Sequence, residues 1–292
     1  MQLLKNTNIN FTAKTIHAII ISITLIIIGV ISLIYNGGPA LSIDFTGGTV
    51  AQLKFENAVN ISEIRLILSK NGLEGAEIIE FGSPQEILIK TQYNGNGKEL
   101  LALFKQAITI PFEVERFENI GPKIGSETQS DAINAILIAL FLISMYISFR
   151  FDRFYAYGSI AALIHDVMIT LGIFSILSID IDLTIIAAFL TIVGYSLNDT
   201  IVIFDRIRET RIKFPKESLD VVINKSLNAS LSRTIITSLT TLIVVIILFL
   251  IGGEVIKNFA FALIVGVLVG TYSSVFIASP VMKYFEIKNK IE

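Results

Sequence analysis

Six long apolar stretches recur along the chain, separated by polar or charged segments. They cover residues 16–35, 132–148, 155–177, 183–204, 234–251 and 259–282. A bilayer core of about 30 Å takes about 20 apolar residues to cross as a helix, and each stretch meets or approaches that length. The pattern therefore predicts an α-helical polytopic membrane protein with six transmembrane helices.

The segment between the first two apolar stretches has shorter periods. It reads as strand 49–55, helix 60–69, strands 76–81 and 86–91, helix 98–107 and strand 111–119. This β-α-β-β-α-β order predicts one α+β, ferredoxin-like domain between transmembrane helices 1 and 2. Asn60, with Glu63 three residues later, resembles a capping box at the start of the first helix of this domain. Such a fold indicates no chemistry by itself.

Basic residues in the short loops predict the orientation in the membrane, because loops rich in Lys and Arg face the cytoplasm. They follow the second, fourth and sixth stretches: Arg150, Arg153, Arg206, Arg208, Arg211, Lys213, Lys216, Lys225, Lys283, Lys288 and Lys290. Both termini should then be cytoplasmic. The predicted division is 1–35 (cytoplasmic N-terminus and first helix), 36–127 (periplasmic ferredoxin-like domain), 128–282 (helices 2–6) and 283–292 (cytoplasmic tail).

Composition excludes several classes of function. The 292 residues are 53% hydrophobic and 16% charged, against about 25% charged in a soluble domain. A net charge of −2 gives no basic field for nucleic acid. Cysteine is absent and histidine occurs twice, which argues against thiolate chemistry and a histidine-rich metal site. With no Walker, nucleophile-elbow or zinc motif, we expect no enzyme activity, no catalytic residue, no metal and no cofactor.

Asp199 is an ionisable residue inside the fourth stretch. It lies six residues before Asp205, roughly 9 Å into the membrane at 1.5 Å per helical residue. A carboxylate at that depth is costly and usually marks function, such as taking up and releasing a proton. A static ion pair or an interhelical hydrogen bond is the alternative. Arg233, at the start of the fifth stretch, either extends to the cytoplasmic surface or pairs with Asp199.

His165 and Asp166 lie near the middle of the third stretch. Adjacent residues on a helix point about 100° apart. Because histidine titrates near physiological pH, the two residues are candidates for a proton relay. The alternative is a buried pair that only ties helices together. With no third ligand in the stretch, a metal site is not expected.

Two further patterns concern packing and the membrane surface. Gly266 and Gly270 have the GxxxG spacing of closely packed membrane helices. Residues 219–231 have apolar positions on a helical period. They form either a helix at the inner membrane surface or a solvated cytoplasmic connection.

The segment Gly121-Pro122-Lys123-Ile124-Gly125 joins the outer domain to the second stretch. Its proline and glycines end the preceding strand. Ser126 with Gln129 then resembles a capping box that opens the second transmembrane helix. The segment is either a stiff hinge or a lever that couples the position of the domain to helix movement.

These motifs together resemble the SecD/SecF family, over essentially the whole chain. Ser42-Ile43-Asp44-Phe45-Thr46-Gly47-Gly48-Thr49 is similar to the signature that follows the first span of that family, and Gly121–Gly125 is similar to its hinge. The remaining matches are His165-Asp166, Ser232-Arg233-Thr234, and the fourth-span signature with Gly194, Tyr195, Ser196, Asn198, Asp199, Asp205 and Arg206.

The resemblance implies roles for these residues. Asp199 and Arg233 stand at the positions that the family uses for proton transport, and we expect His165, Asp166 and Asn198 to take part in the relay. Coupling between the domain and the helices is expected at Asp44, Gly47, Gly48, Gly121, Pro122 and Gly125.

The resemblance also implies a function. Family members act in the bacterial cytoplasmic membrane, where the proton-motive force promotes export of unfolded polypeptides. The small outer domain favours the SecF branch, which pairs with SecD beside the SecYEG channel in the lipid bilayer. The proton gradient would be the energy source, without a cofactor. Two alternatives are half of a small-molecule exporter of the proton-driven RND (resistance-nodulation-division) type, and a translocon assembly subunit that transports nothing.

Overall fold

The computed structural model describes residues 7–92 and 97–291, in which long α-helices dominate. In chain order the elements are α1 (Phe11–Tyr35), the one-turn α2 (Ile43–Thr46), β1 (Gly48–Phe55), α3 (Ile61–Lys70), β2 (Glu77–Phe81), β3 (Ser83–Thr91), α4 (Gly97–Ala107), β4 (Phe112–Ile120), α5 (Pro122–Arg150), α6 (Arg153–Ile176), α7 (Leu183–Lys213), α8 (Leu219–Ile251), α9 (Glu254–Ser273), a π-helical segment (Ser274–Ala278) and α10 (Ser279–Ile291).

Within the described residues, six helices are long and apolar enough to cross a membrane. They are α1, α5, α6, α7, α8 and the continuous helical run from α9 through the π-helical segment into α10. The six predicted stretches fall on these six helices. Large apolar side chains on α1, α5 and α8 stay uncovered, for example Ile31, Phe141 and Leu250. Such faces suit a lipid environment rather than water.

Two helices begin elsewhere than the sequence predicted. α5 begins at Pro122, where proline is favoured because the first helical residue needs no backbone donor. The predicted capping box at Ser126 is wrong, since the Ser126 hydroxyl donates to the Lys123 carbonyl from inside the helix at 2.9 Å. The stretch 219–231 is the first part of α8, which continues unbroken to Ile251.

The chain divides into two compact units. The helical unit consists of the chain up to Ala40, Ile136–Ile179 and Thr184 onward. The sheet unit consists of Leu41–Ala135 together with Asp180–Leu183, the short loop between α6 and α7.

The sheet unit is built on one four-stranded sheet with strand order β2-β3-β1-β4. Every neighbouring pair is antiparallel, and the ladder of β1 with β4 shifts register between Gln52 and Leu53. Two helices, α3 and α4, contribute Leu68 and Phe104 to a core that also contains Leu53 and Ile89 of the sheet. The side chain of Asn60 caps α3 by accepting from the Ser62 backbone N–H at 2.9 Å.

The helical unit has its most buried residues on α6 and α7. An aromatic group of Phe151, Tyr155 and Phe204 packs near the start of α6, with ring centroids 5.0–6.3 Å apart. Further along α6 the interior becomes polar, which is where the candidate site lies.

Candidate functional site

A hydrogen-bonded cluster centred on His165 and Asp166 of α6 lies in the interior of the helical unit. His165 is 4% exposed and Asp166 is 1% exposed. Side chains of adjacent helical residues normally diverge. The side chain of His165 is nevertheless turned towards its neighbour, and Nδ1 lies 2.8 Å from Asp166 Oδ1. The two groups that the sequence singled out therefore act as one unit.

Asp166 is saturated with hydrogen bonds from two other helices. The Ser196 hydroxyl of α7 donates to Asp166 Oδ2 at 2.6 Å. The Ser273 hydroxyl of α9 donates to the same oxygen at 2.8 Å. A carboxylate this deeply buried requires such donors, because it has lost its water.

A second arm of the cluster runs from the other nitrogen of the imidazole to α1 and α9. His165 Nε2 lies 3.0 Å from the Ser22 hydroxyl, which in turn lies 3.0 Å from the Tyr272 hydroxyl. Tyr272 reaches the backbone carbonyl of Ala18 at 2.6 Å. Its ring also stacks on the imidazole, with centroids 5.9 Å apart. The cluster thus joins α1, α6, α7 and α9 through side chains.

Asp199 is a second buried carboxylate, on α7, and it has far fewer donors than Asp166. It is 3% exposed. The Ser238 hydroxyl of α8 lies 3.5 Å from Asp199 Oδ2, at the outer limit of a hydrogen bond. Ser238 is also 2.7 Å from the Thr271 hydroxyl of α9. The contact of Asp199 with Ser238 is therefore a weak link between α7 and α8.

Arg233 lies on α8, five residues before Ser238, and its side chain is exposed. Its positive charge is near enough to act on the Asp199 carboxylate. Among the residues that the structure describes, no direct ion pair joins the two side chains. Pairing of Arg233 with Asp199 therefore stays a prediction.

Polar atoms without partners flank Asp199 and Arg233. The hydroxyls of Thr200 and Thr234 are buried and have no hydrogen-bond partner in the described parts of the chain. The same holds for the hydroxyl of Tyr195. Buried hydroxyls are normally paired, so three unpaired ones on α7 and α8 mark this interior as unusually polar.

The other residues of the α7 signature separate by the face they occupy. Gly194 and Asn198 are exposed, whereas Ser196 is buried against Asp166. At the end of the apolar part, Asp205 lies 3.3 Å from Arg150, and Arg206 pairs with Glu209 at 2.9 Å. The signature thus contributes one residue to the cluster, one buried acid and a charged end.

The residues expected to couple domain and helices meet within the sheet unit. The Asp44 carboxylate accepts from the backbone N–H of Leu183 at 3.1 Å. Gly47 has a φ of +73°, and a side chain there would come within 2.7 Å of Pro122 Cα. Gly125 packs against the backbone of Phe45 and Gly47. Gly48 begins β1, and Gly121 precedes α5 with open space around it.

Sequence reasoning missed the hydroxyl-bearing partners and one ion pair. Ser22, Tyr272, Ser273 and Ser238 are ordinary polar residues in apolar helices, and only the fold shows that they join the chain of contacts around His165 and Asp166 or approach Asp199. Lys90 of β3, which pairs with Asp180, was missed as well. The signal available for the hydroxyls was that polar side chains inside membrane helices often bond across helices.

A polytopic membrane protein with the buried acids Asp166 and Asp199 inside its apolar helices, and with a small sheet unit, is the class that fold and site define. The sequence matches a family described as "Protein export membrane protein SecD/SecF, C-terminal" over residues 100–288, and one described as "SecD/SecF GG Motif" over residues 33–59. The chain belongs to the SecD/SecF family, which confirms the resemblance.

Relatives and a solved structure agree with this membership. The chain is 45% identical to "Protein translocase subunit SecF" of Thermodesulfovibrio yellowstonii, covering 97% of this chain and 96% of the relative. It is 44% identical to the protein of the same name from Calditerrivibrio nitroreducens, covering 96% and 95%. The crystal structure of SecDF, a translocon-associated membrane protein from Thermus thermophilus, is similar with a TM-score of 0.86 and 36% identity. The match covers 96% of this chain but 39% of that longer chain.

Proposed function

We propose that this chain is the SecF-type subunit of a bacterial protein translocase and uses proton movement across the membrane to promote polypeptide export. The proposed location is the cytoplasmic membrane, with both termini in the cytoplasm and the sheet unit in the periplasm. The proposed partners are SecD, the SecYEG channel and unfolded exported polypeptides, and the energy source is the proton gradient without a cofactor. The relatives named SecF, which match this chain over nearly its whole length, support the assignment.

The sheet unit supports the same assignment. Its element order β1-α3-β2-β3-α4-β4 and its strand order β2-β3-β1-β4 are those of a ferredoxin-like domain. We assign that fold to it. We propose a periplasmic location because the segment follows the first apolar stretch, whereas the short loops rich in Lys and Arg follow the second, fourth and sixth.

The single observation that carries the proton-coupled part is the buried carboxylate of Asp199. It faces α8 from α7, near the hydroxyls of Ser238 and Thr237 and within range of the charge of Arg233. A buried charge that appears or disappears alters the balance between helix arrangements by several kcal/mol. Loading and unloading of a proton at Asp199 therefore shifts α7 relative to α8.

Asp44 gives that shift a route along the chain to the sheet unit. Its carboxylate holds Leu183, which is the first residue of α7. Asp199 lies sixteen residues further along the same helix, roughly 24 Å at 1.5 Å per residue. Because an unbroken helix is stiff, displacement of α7 reaches the residue that Asp44 holds.

The test replaces Asp199 in a reconstituted complex of this chain with its SecD partner and the SecYEG channel. Asp199→Asn keeps the size of the side chain but cannot exchange a proton. We expect it to abolish the stimulation of export by an imposed proton gradient, and the associated proton flux, while the protein still inserts and assembles. The matched control is Asp205→Asn, which removes a carboxylate from the charged end of the same helix and should retain most of the stimulation.

Normal stimulation and proton flux in the Asp199→Asn complex would refute the proton-coupled role. Loss of assembly in both variants would instead favour a subunit that supports the translocon structurally. Export by the unmodified complex without any proton flux would likewise favour a subunit with a structural role.

A further inference from the structure

The hydrogen-bonded chain Tyr272–Ser22–His165–Asp166 can hold its hydrogens in two complete arrangements, which a purely structural contact between helices would not need. We propose that His165 and Asp166 form a second proton-binding site, distinct from Asp199, in which uptake of one proton reverses the donor direction of the chain. Use of this site in export rests on the proposed function, whereas the proton uptake itself does not.

Counting hydrogens defines the protonated state. Tyr272 donates its only hydroxyl hydrogen to the Ala18 carbonyl at 2.6 Å. The hydrogen between Ser22 and Tyr272, whose oxygens are 3.0 Å apart, must then come from Ser22. Ser22 can now only accept from the imidazole, so His165 Nε2 carries a hydrogen. One further hydrogen lies between His165 Nδ1 and Asp166 Oδ1, so the pair has no net charge. Because Ser196 and Ser273 both donate to Asp166 Oδ2, we assign this hydrogen to Nδ1, which gives an imidazolium beside a carboxylate.

Removing one proton leaves a second complete arrangement of the same atoms. His165 Nε2 loses its hydrogen and becomes an acceptor, and Ser22 turns its hydroxyl to donate to it. Tyr272 turns its hydroxyl from Ala18 to Ser22, since either oxygen of that pair can be the donor. The Ala18 carbonyl keeps its place in the helix ladder of α1. Nδ1–H still donates to Asp166, and the pair now has a charge of −1.

The proton balance closes in both directions. The protonated state has one hydrogen on each of the two hydroxyls and two on the ring, and the deprotonated state has one hydrogen fewer, on the ring. Two hydroxyl rotations and one proton on Nε2 separate the two states. No heavy atom needs to move, and His165 and Asp166 stay hydrogen-bonded in both.

The surroundings of Asp166 stabilise the charged state without a cation. Ser196 and Ser273 both lie within hydrogen-bond distance of Oδ2, at 2.6 and 2.8 Å. Hydrogen bonds to an ionised acceptor are about twice as strong as neutral ones. The carboxylate is therefore kept as the partner of both forms of the ring, which a pair lacking these donors would not achieve.

The other ionisable groups on the helices around the pair do not neutralise it. Tyr272 of α9 is itself part of the hydrogen-bonded chain, and Asp199 lies about one turn beyond Ser196 on α7. On α10, Lys283 pairs with Asp220, and Glu286 pairs with Arg211 at 2.5 Å. On α7, Asp205 pairs with Arg150 and Arg206 pairs with Glu209, and the buried Tyr195 hydroxyl has no partner in the described residues. Lys14, His17 and Lys288 are exposed, and Lys257 has an interacting partner.

Ser196 connects the two proton sites through α7. Its hydroxyl donates to Asp166, and it lies three residues before Asp199 on the same helix. A change in the charge of the His165–Asp166 pair alters the strength of this bond and so the restraint on α7. The second site is therefore placed to influence the helix that carries Asp199.

Nitrogen NMR of the imidazole tests the proposal directly. The chain has two histidines, so His17→Gln leaves His165 as the only one. The full-length chain, labelled with ¹⁵N-histidine, is reconstituted in lipid bilayers and followed across the pH range in which it stays folded. We expect both ring nitrogens to be protonated at the acid end and Nδ1 alone at the alkaline end. A ring that keeps one protonation state throughout, or one that retains its proton on Nε2 alone, would overturn the proposal.

Two variants separate this site from the proposed function. Asp199→Asn should leave both states of His165 observable, because the two acids have no shared partner atom. Asp166→Asn removes the carboxylate that balances the imidazolium, so the doubly protonated ring should be lost where the parent shows it. Switching of His165 together with normal proton-driven export in Asp199→Asn would sink only the proposed function. A static His165 together with lost export in Asp199→Asn would sink only the second site.

Discussion

The carboxylate of Asp44 accepts a hydrogen bond from the backbone N–H of Leu183 at 3.1 Å, across 139 positions of sequence. Leu183 is the first residue of α7, so Asp44 occupies the position of a helix cap supplied from a distant part of the chain. Neighbouring backbone contacts reinforce it: Ser42 donates to the Ile181 carbonyl at 2.9 Å, and Leu41 forms a parallel bridge with Ile181. An acid is suited to this place, because the first turn of a helix exposes unpaired N–H groups and a partial positive charge.

Substitution of Asp44 should lower stability in two distinguishable steps. Asp44→Ala removes both the acceptor and the charge, and caps of this kind are worth about 0.5–2 kcal/mol. Asp44→Asn keeps an acceptor oxygen and loses only the interaction with the helix dipole, about 0.3–1 kcal/mol. We expect the apparent Tm of the purified protein to fall in the order parent, Asn, Ala. Equal values for all three proteins would mean that the contact contributes nothing.

Gly121 and Gly125 are alike in sequence but should respond oppositely to the same substitution. A Cβ on Gly125 would lie 2.7 Å from the Gly47 nitrogen and 2.9 Å from the Phe45 carbonyl oxygen, which are backbone atoms with little freedom. Gly121 has open space at the corresponding position. Gly125→Ala should therefore cost about 1–3 kcal/mol, as overpacking does, whereas Gly121→Ala should stay within about 0.5 kcal/mol.

Thermal unfolding of the two alanine variants in parallel measures this difference. Comparable losses in both would show that flexibility, rather than close packing at Gly125, is what the segment requires. If Gly125→Ala were as stable as the parent, α5 would be able to move away from the backbone of Phe45 and Gly47 at no cost.

The elements of the sheet unit could be predicted from local sequence because each has a local cause. The alternation at 49–55 corresponds to β1 (Gly48–Phe55), and Asn60 caps α3 through its own side chain. The start of α5 was misplaced for an equally local reason. Serine three residues before glutamine suggested a cap at Ser126. The helix instead begins four residues earlier, at Pro122, because the first helical position needs no backbone N–H donor.

The candidate site could be predicted only where a residue is anomalous by itself. Asp166 and Asp199 were found because an acid inside an apolar stretch is costly wherever it points. Their very different surroundings could not be predicted, because Ser238 and Ser273 are unremarkable in the sequence and the contact of Ser196 with Asp166 depends on how the helices pack. The contact of Asp44 with Leu183 is equally invisible, because it depends on two segments that the sequence leaves unrelated.

Lys90 should stabilise the sheet unit at neutral pH, and this contribution should be lost at alkaline pH. Burial opposes the charged form of Lys90, but its hydrogen bond to Asp180 and the charges of Asp180 and Glu77 outweigh burial and raise its pKa above the ordinary 10.5. Because the folded value is the higher one, the contribution is complete below about pH 10.5 and is lost as the pH rises through the folded pKa. Lys90→Met should abolish this alkaline loss and lower stability at neutral pH by up to about 1 kcal/mol.

Lys54 is the matched control for Lys90. It pairs with Glu115 at 2.9 Å and with Glu86 at 3.4 Å, and hydrogen bonding to Glu115 raises its pKa as well. Its side chain is 46% exposed, against 26% for Lys90. Solvent screens the more exposed pair, so Lys54→Met should change stability less at every pH. A larger effect at Lys54, or the same alkaline slope in Lys90→Met as in the parent, would contradict the assignment.

The packing of α9 on α7 depends on the missing side chain of Gly266. A Cβ there would lie 2.2 Å from Cγ1 and 2.4 Å from Cδ1 of Ile192, a residue that is 1% exposed. Gly266→Ala should therefore cost about 1–3 kcal/mol by overpacking, less the small helical preference of alanine. Ile192 is four residues before Ser196, which packs against Gly270 and donates to Asp166, so displacement of the helix would also disturb the site.

A second substitution decides whether that cost comes from the clash. Ile192→Ala alone leaves a cavity and should cost about 2–5 kcal/mol. In the double variant the new methyl group of residue 266 occupies part of that cavity, so the combined loss should be smaller than the sum of the two by about 0.5–3 kcal/mol. Gly194→Ala, on the open face of α7, is the control for alanine in a membrane helix and should be nearly neutral. Strictly additive losses in thermal unfolding would show that Gly266 is needed for a reason other than the contact with Ile192.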